Sequence, residues 1–197
     1  MFAFLIGHVV GNLLYFAGRD ALNAYSRGLH ESALLLWGAR IGLLGATILH
    51  VVAAATLYLR ERAARPEGYQ VLRMRQPSYA ARTMKYSGPF VAGFLVFHLL
   101  HLTAGAPVTP AEFIPGDVYG NVTASFGYGW VALVYTVAVC LVGLHLSHGA
   151  HSMFESLGIR HPSLDRPLSL AMKGITLLIV LGFCSLPVFI LFNLVGG

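Results

Sequence analysis

LLLWGARIGLLGATILHVVAAATLYL, Leu34 to Leu59, decides the fold. Arg40 is its only charged residue, and its 26 residues exceed the roughly 20 that a helix needs to cross a hydrocarbon core about 30 Å thick. Four more apolar runs lie on either side of it: Phe2 to Phe16, Lys85 to Thr103, Trp130 to His151 and Leu168 to Asn193. The whole chain is 56% hydrophobic and 11% charged, against roughly 25% charged in soluble domains. The polar stretches between the runs are too short to fold alone. An all-α integral membrane bundle of five transmembrane helices, one domain over residues 1–197, is therefore expected. The first run is the weak member, at about 16 residues or roughly 24 Å. Its shortness suggests residues missing upstream. A signal peptide would need a basic n-region and an A-x-A-like site, and neither is present.

The net charge of +5 comes with no nucleic-acid module, so it is read for topology. Between the second and third runs stand Arg60, Arg62, Arg65, Arg73, Arg75, Arg82 and Lys85, opposed only by Glu61 and Glu67. The link before the fifth run adds Arg160 and Arg166, with Lys173 near the start of that run, whereas Ala106 to Gly129 holds Glu112 and Asp117 and no Lys or Arg. The positive-inside rule puts the basic links and the N-terminus in the cytoplasm. The segment Ala106 to Ser125, with Pro107, Pro110, Pro115, Gly116 and Gly120, reads as a turn-rich loop capping the outer face. Asn121-Val122-Thr123 matches a glycosylation acceptor, a pattern common by chance. Cys140 and Cys184 have neither disulfide-framework nor CxxC spacing and are expected to be packing residues.

Seven of the nine histidines lie within or at the ends of apolar runs: His8, His50, His98, His101, His145, His148 and His151. Ionisable groups at membrane depth are costly, so their number asks for a cause. A single such histidine is most simply one that hydrogen-bonds a neighbouring helix. Depth argues for more. With the first and third helices running outward, His8 and His98 fall in the outer half; with the second and fourth running inward, His50 and His145 fall in the inner half. Paired imidazoles from facing helices are the ligand set of a bis-histidine haem iron, suited to electron transfer. Two such haems at two depths would make a path across the bilayer. No CxxCH motif is present, which excludes covalent attachment. Gly11, Ala53, Ala54 and Gly149 lie about one turn along from the histidines and could leave room for a porphyrin face. His101 and His148, at i+3, are alternatives to His98 and His145 as ligands. They are also candidates for propionate contacts, as are Arg82, Lys85, Ser87 and His151 on the inner side.

GHVVGNLLYFAGRDALNAY (Gly7 to Tyr25), ILHVV (Ile48 to Val52), ARPEGY (Ala64 to Tyr69), ARTMKYSG (Ala81 to Gly88), FHLLHL (Phe97 to Leu102) and LHLSHGAHSMFESLGI (Leu144 to Ile159) follow in order over most of the chain. In this set the chain resembles the five-helix, di-haem cytochrome b subunit of succinate dehydrogenases and fumarate reductases. The resemblance implies two haem b groups, with His8 and His98 on the distal haem iron and His50 and His145 on the proximal one. It implies a bacterial cell-membrane protein whose cytoplasmic face docks an iron–sulfur subunit carrying a flavoprotein, with menaquinone as electron partner. Glu31 stands where the family carries an acidic residue for quinone proton exchange, with His30, Trp37, Arg40 and Asn12 nearby in sequence. Arg40, inside the second helix, should lie near a carboxylate, a propionate or a quinone oxygen. The chain departs from the family in its short lead-in before the first helix. It departs again at Gly143, where some members carry a glutamate of a proton path. A di-haem cytochrome b of a hydrogenase or formate dehydrogenase is the alternative, separated by having its hydrophilic partner outside. A histidine-based transporter or proton channel would show inverted repeats or broken helices at matching positions, which the sequence lacks.

Overall fold

Ser32 starts the long apolar run as a helix. Its backbone is extended and its hydroxyl accepts from the Leu35 amide at 3.3 Å, pairing one donor that a helix start leaves free. The helix, α3, then runs Ala33–Ala63 and carries Arg60 and Arg62 in its last turn, where cations suit the negative end of the helix dipole.

The computed structural model describes residues 1–64, 79–156, 158 and 162–192, which are helical apart from the connecting segments. Before α3 come α1 (Phe2–Leu13), a 3-10 turn (Leu14–Ala17) and α2 (Arg19–Glu31). After it come α4 (Tyr79–His98), which passes into a π-helical turn (Leu99–Thr103), then α5 (Val118–Phe126), α6 (Gly129–Ser156) and α7 (Pro162–Leu191). Four helices among the described residues are long and apolar enough to cross a membrane, within Ala33–Ala63, Tyr86–Thr103, Gly129–Ala150 and Arg166–Leu191. The remaining apolar helix, Phe2–Ala17, is shorter, at about 26 Å. Of the five expected spans, four are thus present at full length among the described residues, and the first helix falls short of that length.

Boundaries differ from the apolar runs for one recurring reason: helical hydrogen bonding continues past the apolar residues into polar turns. α3 extends to Ala63 through Arg60, Glu61 and Arg62, which are good helix formers; α4 begins at Tyr79 rather than Lys85; α6 continues to Ser156; and α7 starts at Pro162 rather than Leu168. The expected end at Asn193 lies outside the described residues, as do Arg65, Arg73, Arg75 and Arg160. Cys140 is exposed on α6 and Cys184 half-buried on α7, with the two thiols in contact across the helices.

The segment Ala106 to Ser125 is only partly the turn-rich loop expected, because its second half is α5. Asp117 starts that helix, its carboxylate accepting from the Gly120 amide at 3.1 Å. The same carboxylate accepts from Asn23 at 2.9 Å and Arg19 at 2.8 Å, and Asn23 Oδ1 accepts from the Tyr119 amide at 3.1 Å, which clamps α2 onto α5. Tyr15, 2% exposed, bonds Thr123 at 2.8 Å and stacks on Tyr119. Below this cap a core of Tyr15, Leu22, Val122, Phe126, Val131, Tyr135, Leu186 and Ile190 joins the cap to α6 and α7. Asn121 is buried with its carboxamide bonded twice to the Ile114 backbone, so the glycosylation match is not a surface acceptor.

The clamp has a pH signature. Asn23 first, then the Gly120 amide and Arg19, hold the Asp117 carboxyl below its ordinary value of 3.8. A depressed carboxyl contributes stability that is fully present above its unfolded pKa and is lost as pH falls through the folded one. Asp117→Asn should therefore lower the melting temperature in detergent at neutral pH, and the gap from wild type should close as the pH is taken well below 3.8.

α6 packs along α7 and α4, and α7 along α1. A Cβ at Gly143 would stand 2.5 Å from Val180 Cγ2, and one at Gly182 would meet Val9, so small residues set these approaches. A glutamate at Gly143 would need Val180 to give way. α3 differs from the other helices in having no buried residue, and its main packing is against α2.

Candidate functional site

α1 and α4 run towards the capped end, α3 and α6 away from it, so a residue's place along each helix fixes its level. His8 of α1 and His98 of α4 come together with ring centroids 5.9 Å apart and planes at 73°. His50 of α3 and His145 of α6 come together at 6.0 Å and 79°. Four helices thus contribute one histidine each to two pairs. The Tyr135 hydroxyl lies 3.4 Å from His98 Nδ1, and His145 follows Tyr135 by ten residues of α6, so the pairs are separated by roughly 15 Å along the bundle.

Two imidazoles that ligate one ion from opposite sides have centroids roughly 6 Å apart, given metal–nitrogen bonds of about 2 Å. Both pairs have that spacing, and no hydrogen bond joins the two rings of either pair among the described residues. Edge-to-face rings in ordinary cores span 4.5–7 Å as well, so spacing alone does not choose between these arrangements. The inner surroundings add two observations. His145 Nδ1 is buried and has no hydrogen-bond partner, a state that costs about 1–3 kcal/mol unless something satisfies it. His50 is exposed although it faces His145, because α3 stands off from α6. Among the described residues no three His, Cys, Asp or Glu side chains converge as a metal site. An ion held by either pair would need its remaining ligands from a group such as a porphyrin.

The outer pair is walled by aromatics: Phe4 stacks on His8 at 5.3 Å, Phe183 lies 5.4 Å from it, and Phe94 lies 6.0 Å from His98. Asn12 donates to the His8 carbonyl at 2.8 Å, with its Nδ2 also 3.4 Å from His8 Nδ1, so it sits on the pair. Gly11 is not open for a porphyrin face, because a Cβ there would lie 2.8 Å from the Tyr25 ring. Gly149, by contrast, opens on free space, and Ala53 and Ala54 are exposed.

His101 is buried elsewhere. Its Nδ1 lies 3.0 Å from Tyr135 Oη, and its Nε2 is 2.9 Å from Ser125 Oγ and 3.1 Å from Thr109 Oγ1. Both nitrogens have protein partners, leaving none for a propionate or for iron. His148 is half-buried one turn beyond His145. Ser87 is buried, its hydroxyl directed back to Met84 of its own helix. The side chains of Arg82, Lys85 and His151 lie outside the described residues.

At the capped end, Glu31 closes α2 and is exposed, and exposed His30 has its Nδ1 2.8 Å from the Ser26 carbonyl. Arg40 lies over the Trp37 ring at 5.2 Å, an aromatic partner beside the carboxylate, propionate or quinone oxygen expected. No described contact joins these four to either histidine pair. Tyr135, Ser125 and Thr109 were missed by sequence reasoning. The available signal was a tyrosine in the middle of an apolar span, whose hydroxyl must find a partner away from water.

Set against known proteins, the chain matches no protein-family model, no curated protein and no solved structure.

Proposed function

We propose that the chain is a di-haem, b-type electron-transfer protein of a membrane. The observation that carries the reading is the meeting of four histidines from four helices as two pairs, each spaced for one shared metal ion, at two levels. The orphaned His145 Nδ1 and the stand-off of α3 fit a bulky cofactor between α3 and α6. When bound, each haem supplies a one-electron couple. The chain's own part is to hold the imidazoles at fixed depth, keep water from the outer pair with Phe4, Phe94 and Phe183, and set the spacing of the pairs through α6.

The particular reading is the membrane anchor of a succinate:quinone oxidoreductase, passing electrons between an iron–sulfur subunit and menaquinone. It rests on the ordered motifs from Gly7 to Ile159. In this reading Phe2–Ala17, its 3-10 turn included, is the fifth span, its shortfall made up by the cap. The end bearing Arg60, Arg62, Arg166 and Lys173 is cytoplasmic and docks the hydrophilic subunits. Glu31, with His30, Trp37 and Arg40, serves the quinone at the outer face.

The experiment is a dithionite-reduced minus oxidised spectrum of the purified chain with a pyridine haemochrome count. Two non-covalent b haems per chain are expected. A chain purified folded from a haem-replete membrane with none would end the proposal.

A further inference from the structure

A chain of hydrogen bonds links the cap to the outer histidine pair, and the proposed function does not use it. From Thr109 Oγ1 and Ser125 Oγ it enters His101 Nε2, leaves by His101 Nδ1 to Tyr135 Oη, and ends at His98 Nδ1. His101, Tyr135 and Ser125 are each no more than 5% exposed, so every proton in the chain must be placed among these partners. Placing them gives the chain a direction. A neutral imidazole carries one N–H, so a His98 that offers Nε2 as a lone pair must carry its proton on Nδ1 and donate it to the Tyr135 oxygen. The tyrosine O–H then donates to His101 Nδ1, and His101 Nε2–H donates to Ser125 or Thr109. All groups are satisfied in that order.

Resting on the di-haem reading, we propose that Tyr135 and His101 are positioning residues that fix His98 as the Nε2-ligating tautomer and raise its basicity towards the outer metal. The local structure supports the assignment. The π-helical turn Leu99–Thr103 follows His98 directly and sends His101 to Tyr135 and Ser125, leaving His98 to face His8. Tyr135 is held in place independently by ring contacts with Phe94, Phe97 and Phe126, so its hydroxyl is preset rather than induced. The last link, at 3.4 Å, is long for a hydrogen bond, and its effect on the metal is what the experiment must show. An N–H donated by a metal-bound imidazole makes the ligand more basic and favours the oxidised metal.

Tyr135→Phe keeps the ring and removes only the hydroxyl. In potentiometric titration of the purified haem-loaded chain, it should keep two haems, move the midpoint of one upwards, and leave the other unmoved. The low-spin electron paramagnetic resonance signal of the same haem should shift. His101→Gln, which can still accept from Tyr135 but holds it less firmly, should place the midpoint between those of wild type and Tyr135→Phe. Two haems with both midpoints unchanged in Tyr135→Phe would overturn the positioning role and leave the di-haem reading standing. A wild-type chain without haem would overturn the di-haem reading itself. A variant that loses the outer haem supports the role if His101→Gln also weakens haem retention, and overturns it if His101→Gln is indistinguishable from wild type in both content and midpoint.

Discussion

His50→Leu should lower the haem content from two to one per chain and release α3 from the bundle. Both effects follow from how little else holds that helix. α3 spans Ala33–Ala63 without one buried residue, leans mainly on α2, and meets α6 through the ring contact of His50 with His145. In lipid there is no hydrophobic force to press an apolar helix against its neighbours, so packing or a shared ligand must do it. Gly38, Gly42 and Gly45 of α3 each open on free space, so the helix makes no close approach at these positions. In the di-haem proposal a haem between the rings would replace the missing packing, and leucine at residue 50 would remove one of its two ligands. A spin label on α3 paired with one on α6 should report a narrow distance distribution in wild type and a broad one in the variant. Absorbance should show the loss of one b haem. A retained narrow distribution would mean that α3 is held by its own contacts. Two retained haems would mean that His50 is not a ligand.

Helix direction and position alone pair His8 with His98 and His50 with His145, and the structure brings those same rings together. The helix cores were legible for a related reason, since an uninterrupted apolar run has few alternatives in a membrane. The missed elements lie where that signal stops. α2 is polar and amphipathic and reads as a link; α5 starts on Asp117 among prolines and glycines that read as a loop. Both are held by the Asp117 clamp and by Tyr15 with Thr123, partners about a hundred residues apart in the chain, which no local window joins. The choice between His98 and His101 was likewise illegible at i and i+3, because an α-helix puts both on one face. The π-helical turn after His98 changes that face, and nothing in FHLLHL announces it. Arg40 went the other way: the cost of a guanidinium inside a span was foreseen, but the ring of Trp37 was not counted among its partners.

His98→Leu and His101→Leu should separate by haem content although only three residues lie between them. His98 faces His8 at 5.9 Å, so on the di-haem proposal its loss should empty the outer site and leave one haem per chain. His101 has both nitrogens bonded to hydroxyls and no ring contact with His8, so His101→Leu should keep two haems. Its cost falls on stability instead. Tyr135, Ser125 and Thr109 lose their shared partner, and a buried polar group left unpaired costs about 1–3 kcal/mol, enough to lower the melting temperature by several degrees. Leucine also removes the acceptor of the Tyr135 hydroxyl, which is then free to turn and donate to His98 Nδ1. That would favour the tautomer with the proton on Nε2 and weaken, without emptying, the outer site. The two variants therefore differ in kind, one haem against two, and the haemochrome count reads the difference directly. Equal loss in both would mean that His101 shares the ligand role. Loss in His101→Leu alone would transfer that role to His101 and require the turn Leu99–Thr103 to rewind as α-helix when haem binds.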